Sequence, residues 1–224
     1  MPYYVSPEQF MKDKADYARK GIARGKSVIA LVYKDGISFI AENPSSTLHK
    51  VSEIYDRMSF AGVGKFNEFE ALRRHGIRQA DIRGYSFSRD DVTGRGLAND
   101  YSQILGQIFT EAMKPYEIEI LVAQVGADSK TNELFHILYD GSVADEEDFV
   151  AMGGQSEQLS TYCREHFKKD MTLAKAVKLG VKALGIPEER EVSEKSLEVA
   201  VLDRNLQRRK FRRVTQKELT TILA

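Results

Sequence analysis

The amino-acid sequence predicts an α+β protein, a four-layer αββα sandwich, from three observations. β-rich runs come in antiparallel pairs, helical patterns come in pairs between them, and both kinds of element have an apolar face to bury. Two packed sheets between two helical layers satisfy this demand better than alternating βαβ units. The 224 residues fit a single domain, 1–224, with a tail (1–6), an N-terminal helix (7–25) and the sandwich (26–224).

The N-terminal helix begins at a capping box. Ser6 is the predicted N-cap, Pro7 fits the first helical position, and Gln9 is expected to reach back to the cap. One face of the helix is apolar and the other is basic, and the basic face includes Lys14. Gly25 marks the end of the helix.

Four strands and two helices follow in the first half of the chain. The predicted strands cover residues 27–33, 37–42, 50–53 and 58–63. The first two are joined through Asp35-Gly36, a dipeptide that favours a tight turn. A helix is predicted after Gly64, and a long apolar stripe predicts another over 94–113. Residues 62–65 fit a strand-to-helix turn better than a phosphate-binding loop, because the remaining residues of that motif are missing.

The second half of the chain repeats this pattern. Strands are predicted at 117–125, 134–139, 149–152, 196–202 and 210–214, and helices at 156–168, 172–184 and 216–223. The acidic run 145–148 is predicted as a solvated loop. The charged segment 186–194, which contains Pro187, is predicted as an exposed loop.

Composition excludes several functions. Thirty-three basic residues balance thirty-three acidic ones, which argues against nucleic acid as a partner, and the basic cluster 208–213 fits a solvated face better than an RNA site. No apolar run approaches the roughly 20 residues that span a membrane. Cys163, the only cysteine, predicts a core thiol and a reducing, cytoplasmic location, and no secretory leader is recognisable. The four histidines lack metal-ligand spacing, so neither metal nor cofactor is expected.

Three motifs in this order of elements resemble the proteasome α-type subunits, especially those of actinobacteria. They are the Ser-Pro-Glu start and Tyr-Ala end of 6–19, the Lys-Pro-Tyr turn at 114–116, and the Met-Gly-Gly step at 152–154. The spacing in the first motif is one residue longer than in the archaeal and eukaryotic pattern. The resemblance covers essentially the whole chain and implies the fold of N-terminal nucleophile hydrolases.

The resemblance also implies a function and partners. Such a subunit forms the outer ring of the proteasome core particle, gates substrate entry, templates the catalytic β ring, and docks C-terminal tails of activators. The implied partners are neighbouring α subunits in a seven-membered ring, the proteasome β subunit, and an AAA+ ring ATPase or another activator. A general scaffold or RNA-associated protein is a competing class that only the basic clusters suggest.

The position of a catalytic nucleophile is occupied by a lysine. Catalysis in this fold needs Thr, Ser or Cys at the first position of the first strand, with a free α-amine as its base. Counting back from Val28 places Lys26 there, followed by Ser27. We therefore expect no catalytic residues. The alternative is a free-standing amidohydrolase of the same fold, which would have to expose a nucleophile at Lys26 or Ser27.

Two functional sites are implied by the resemblance. The segment 49–56 is similar to the family segment whose lysine, here Lys50, lines a pocket for the C-terminal tails of activators. The ordinary alternative is a surface lysine at a strand edge. The gate would consist of the residues before the first helix, Pro2, Tyr3, Tyr4, Val5 and Ser6. A terminus without function is the alternative there.

Overall fold

In the computed structural model, which describes residues 6–224, ten strands form two five-stranded antiparallel sheets. The strands are β1 (Val28–Tyr33), β2 (Gly36–Glu42), β3 (Val51–Tyr55), β4 (Met58–Gly64), β5 (Ile118–Gln124), β6 (Glu133–Ile137), β7 (Val143–Glu146), β8 (Phe149–Met152), β9 (Leu197–Asp203) and β10 (Phe211–Arg213). The first sheet has the order β10-β9-β2-β1-β8 and the second has the order β3-β4-β5-β6-β7.

The described residues form six helices. They are α1 (Pro7–Ala23), α2 (Phe66–Ser86), α3 (Gly94–Glu111), α4 (Ser156–His166), α5 (Leu173–Gly185) and α6 (Gln216–Leu223). The helices α4 and α5 pack on the first sheet, and α2 and α3 pack on the second. The predicted four-layer αββα sandwich is therefore confirmed.

Side chains that alternate along the strands build three apolar layers. In β1, Val28 and Ala30 point into the core between the sheets, whereas Ile29 and Leu31 point towards α4 and α5. The third layer lies between the second sheet and the helices α2 and α3, and Tyr101 is its largest fully buried side chain. Because both faces of these strands are buried, apolar residues run continuously along them.

The first helix adds Ala18 and Ile22 to the core between the sheets. Its predicted N-cap is confirmed, since the hydroxyl of Ser6 accepts a hydrogen bond from the backbone N–H of Gln9 at 3.2 Å. The second half of the predicted capping box is wrong: the side chain of Gln9 donates to Asp13 Oδ1 at 2.7 Å instead of reaching back. Asp13, one helical turn further along the chain, thus binds the side-chain amide of Gln9.

The acidic run is the main departure from the predicted elements. Asp145 and Glu146 lie in the edge strand β7, not in a loop, and β7 pairs with β6. All four β7 residues are exposed, so no apolar alternation marks the strand in the sequence. Charged side chains on an edge strand discourage pairing with other chains. The segment 186–194 contains the short 3₁₀ turn Ile186–Glu188, and a second turn spans Glu194–Ser196.

The strand-to-helix turn at Gly64 has the geometry that its glycine allows. Gly64 has φ of +103°, and a Cβ there would lie 2.0 Å from the carbonyl oxygen of Glu117. Any other residue would collide with the neighbouring backbone. No helix within residues 6–224 is both long and apolar enough to cross a membrane.

Candidate binding site at the junction of α1 and β1

Lys50 lies immediately before β3, at the end of the loop that follows β2. Its Nζ donates a hydrogen bond of 2.9 Å to the backbone carbonyl of Lys26, in the connection between α1 and β1. Its own carbonyl accepts from the N–H of Gly62 at 3.0 Å, which extends the pairing of β3 with β4 by one residue. Lys50 therefore fixes its side chain against the junction of α1 and β1.

The ammonium group of Lys50 is partly buried, and this changes how tightly it holds its proton. Burial lowers the pKa of Lys50, while the carboxylates of Glu198 and Glu42 act in the opposite direction. A lysine ammonium can donate three hydrogen bonds, and the carbonyl of Lys26 takes one of them. Burial removes water molecules that would accept hydrogen bonds from the ammonium. A carboxylate brought to this ammonium would supply acceptors in their place, together with a negative charge.

A small cleft of about 140 Å³ lies beside Lys26 at this junction. Three cationic side chains (Arg24, Lys26 and Arg190) and two carboxylates (Glu42 and Glu188) line it. Lys26 Nζ lies 3.5 Å from Glu42 and 3.6 Å from Glu188, and the guanidinium of Arg190 lies 2.6 Å from Glu42. The side chain of Lys26 is thus committed to ion pairs.

The two candidate nucleophile positions, Lys26 and Ser27, lie in the connection between α1 and β1, which packs closely against Gly153 and Gly154. Gly153 has φ of +116°, and a Cβ there would lie 2.6 Å from Ser27 Oγ. A Cβ at Gly154 would lie 2.6 Å from the Cα of Ala23. The two glycines let the connection between α1 and β1 approach the start of α4 closely.

The first helix is anchored to α3 by a buried lysine. Lys14 is 4% exposed, and its Nζ donates to the carbonyls of Phe109 at 3.0 Å and Ala112 at 2.6 Å. Carbonyls at the C-terminal end of a helix lack partners within the helix, and a cation there is favourable. Lys14, which the sequence analysis placed on the basic face of the helix, is thus a buried anchor. Its acceptors are 95 and 98 residues away in sequence, which no local pattern reveals.

The expected gate residues can be placed only in part. Ser6 is the N-cap of α1 and lies at the start of the described chain. Pro2, Tyr3, Tyr4 and Val5 lie outside the described residues.

Glu198 is the functional candidate that sequence reasoning missed. It lies on β9, its side chain is 8% exposed, and its carboxylate accepts a hydrogen bond from the backbone N–H of Lys50 at 2.9 Å. A single carboxylate inside the apolar run Leu197–Leu202 is the signal that could have found it, because buried charges need partners.

The remaining candidates fit structural roles. Cys163 is buried as predicted, and burial raises the pKa of its thiol to about 11. Within the described part of the chain, no cluster of three or more histidine, cysteine or carboxylate side chains could hold a metal ion. In the basic cluster, Arg212 and Arg213 pair with Glu218 and Glu198 at 2.9 and 2.6 Å. Guanidinium groups bound to carboxylates are less available to RNA phosphates.

Comparisons with known proteins give one consistent result. The family described as "Proteasome subunit" matches residues 22–202. Proteins named "Proteasome subunit alpha" from Kineococcus radiotolerans and Thermomonospora curvata are 56% and 55% identical to this chain, and the matches cover all of it and 98% of each relative. The same name is carried by a protein of Geodermatophilus obscurus that is 53% identical over the whole chain and 81% of its own length.

Proposed function

Because this chain belongs to the proteasome subunit family, as a member of its alpha type, we propose that it is a non-catalytic subunit of the core particle. In this proposal it forms the outer ring, gates substrate entry, templates the catalytic β ring, and docks the C-terminal tails of a ring ATPase or other activators. The observation that carries the proposal is the partly buried ammonium of Lys50 at the junction of α1 and β1.

A terminal carboxylate suits Lys50 for electrostatic reasons. A charge-assisted hydrogen bond between an ammonium and a carboxylate is shorter and stronger than a neutral one. The ammonium has lost part of its hydration through burial, so it gains from a new anionic partner. Capture of a C-terminal carboxylate is a common mode of peptide recognition.

The non-catalytic role rests on Lys26 and Ser27. Lys26 occupies the position where this fold needs Thr, Ser or Cys, and its ammonium is paired with Glu42 and Glu188. The peptide bond before Ser27 follows a well-formed helix that is anchored to α3 through Lys14. Only the basic clusters suggest an RNA-associated scaffold, and a free-standing amidohydrolase would need a nucleophile that Lys26 cannot supply.

Exposed apolar side chains support assembly with other chains. Tyr85 and Met113 are each 94% exposed, and Phe87 is 79% exposed. Contiguous exposed apolar patches commonly mark contacts with another protein, and Tyr85 and Phe87 lie two residues apart in sequence. We propose head-to-tail contacts between neighbouring copies that close into a ring of seven, stacked on the catalytic β ring.

Substitution of Lys50 tests the docking role. Lys50→Ala removes the ammonium, so we expect activator-driven protein degradation to be lost, while assembly and cleavage of small peptides by the partner β ring continue. The measurement compares both activities in reconstituted particles. Lys217→Ala, at an exposed position on α6, is the matched control. Degradation that is unchanged in Lys50→Ala would remove Lys50 from the proposal.

Deletion of residues 2–6 tests the gate. The N-cap at Ser6 and the anchor at Lys14 hold α1 in place. We expect the assembled particle to cleave an unfolded protein several-fold faster after the deletion, without an activator. The cleavage rate of a short peptide serves as the control for assembly. An unchanged rate with the unfolded protein would contradict gating.

A further inference from the structure

We infer that Glu198 is the positioning residue of the Lys50 docking site, because its carboxylate holds both ends of the loop that ends at Lys50. This inference rests on the proposed docking role of Lys50. A residue of β9, in one sheet, would then position the ammonium of Lys50, which lies beside β3 in the other sheet.

The carboxylate of Glu198 binds both ends of the loop 43–50. One oxygen, Oε2, accepts from the side-chain amide of Asn43 at 2.7 Å and from the backbone N–H of Lys50 at 2.9 Å. The other oxygen, Oε1, accepts from the N–H of Val51 at 3.2 Å. Asn43 also donates to the carbonyl of Leu48 at 2.6 Å, so the loop is closed on itself. The backbone position of Lys50 is thereby set by Glu198.

Arg213 holds Glu198 in the orientation that this requires. Its Nη1 donates to Glu198 Oε1 at 2.6 Å, and its Nη2 donates to the carbonyl of Val51 at 2.7 Å. One guanidinium thus bridges the carboxylate and the first residue of β3. The Nδ1 of His49 lies 3.4 Å from the same carboxylate oxygen. A carboxylate with this many donors keeps one position.

Two carboxylates act electrostatically on the Lys50 ammonium. They are Glu198 and Glu42, and both favour the protonated form of Lys50 against the effect of burial. Glu42 shares its charge with Lys26 and Arg190. Removing the charge of Glu198 leaves Lys50 with Glu42 alone, so the ammonium should lose its proton at lower pH. An ammonium that is deprotonated cannot bind a carboxylate through charge.

The test compares Glu198→Gln with the wild type in reconstituted particles over a range of pH. The measured quantity is the concentration of an activator with a free C-terminal carboxylate that gives half-maximal stimulation of protein degradation. We expect this concentration to rise about tenfold at neutral pH, which corresponds to about 1.4 kcal/mol. Stimulation should fall at alkaline pH in both proteins. We expect this alkaline decline to begin at a lower pH in Glu198→Gln than in the wild type. A loss of fold alone would not shift that alkaline decline.

Two further variants separate charge from geometry. Glu198→Asp keeps the charge but shortens the side chain, so the alkaline decline should stay at the wild-type pH while half-maximal stimulation needs more activator. Glu53→Gln is the matched control, because Glu53 lies on β3 and pairs with Arg209. Its stimulation curve and pH profile should equal those of the wild type.

The outcomes distinguish this inference from the proposed function. If Lys50→Ala abolishes stimulation while Glu198→Gln keeps the wild-type curve and pH profile, the inference is overturned and the docking role stands. If Lys50→Ala has no effect, the docking role itself fails. A second measurement does not depend on activators: an NMR titration of the Lys50 side chain in the full-length chain should give a lower pKa in Glu198→Gln than in the wild type. Equal pKa values would overturn the inference.

Discussion

Glu198 on β9 and Glu119 on β5 are two buried carboxylates with different tasks. Each side chain is 8% exposed and is flanked on its strand by apolar residues. Glu198 binds the loop before β3 and the guanidinium of Arg213. Glu119 accepts from the backbone N–H of Gly153 through Oε1, and its Oε2 lies 2.8 Å from Nε2 of His136.

The difference lies in what each carboxylate connects. Glu119 joins the second sheet to the end of β8 in the first sheet, so its partners all belong to the packed sandwich. Glu198 joins a strand of the first sheet to a loop that carries a partly buried ammonium. The same residue type, at the same burial, thus serves the packing of the two sheets in one place and the candidate docking site in the other.

The largest effect on stability is expected for Glu198→Ala. The change leaves Arg213 and the N–H groups of Lys50 and Val51 without their acceptor. Breaking a buried ion pair from one side typically costs 3–5 kcal/mol, and the partial exposure of Arg213 reduces this, so we expect the free energy of unfolding to fall by about 3 kcal/mol. Urea denaturation of the full-length chain measures it.

A matched control for this prediction is Glu218→Ala. Glu218 pairs with Arg212, and both side chains are about one-third exposed. Exposed ion pairs contribute about 0–1 kcal/mol, so this variant should lose no more than that. Equal losses for the two variants would show that Glu198 is an ordinary ion-pair partner.

A smaller effect is expected for Glu119→Ala, and it sharpens the comparison. The change leaves the N–H of Gly153 buried without an acceptor and removes the partner of His136 Nε2. A buried donor without a partner costs about 1–3 kcal/mol, so we expect a loss of about 2 kcal/mol in the same urea experiment. Activator docking should be unaffected in particles that assemble. A docking defect as large as that of Glu198→Gln would contradict the separate tasks of the two carboxylates.

The smallest effect on stability is expected for Lys50→Met, with the opposite sign. Burial lowers the pKa of Lys50 in the folded chain, so the folded state holds this proton less tightly than the unfolded state. Below the folded pKa the charged lysine opposes folding, and this cost is lost as pH rises from the folded pKa to the ordinary pKa of lysine. The melting temperature of Lys50→Met at neutral pH should equal or exceed that of the wild type, and the difference should narrow at alkaline pH. A clear drop at neutral pH would mean that Lys50 serves the fold.

The sequence predicts the sandwich because most of its strands are recognisable as apolar runs without knowledge of their partners. Alternating residues of β1 fill two different apolar layers, so the apolar run 28–33 is visible without any partner. Strand β7 was missed because it pairs through its backbone and exposes all four side chains. Boundaries also shifted: α3 ends at Glu111, two residues before the predicted end.

Of the candidate site, the sequence predicts only Lys50, which lies in a segment similar to one of the family. Lys50 was named from its similarity to a family segment, and nothing local places its Nζ on the carbonyl of Lys26. Glu198 and Asn43 are 155 residues apart in sequence, and Lys14 is 95 residues from Phe109. Contacts over such distances depend on the topology of both sheets. A pattern confined to one helix or strand contains no information about them.

The most direct measurement of the central claim is to tag this chain at its C-terminus in its native cell and identify what co-purifies. The account predicts a particle many times larger than the 25.3 kDa chain, with a second chain in equal amount that has an N-terminal threonine exposed after a glycine. A lone chain of 25.3 kDa that cleaves a peptide or amide by itself would contradict the account.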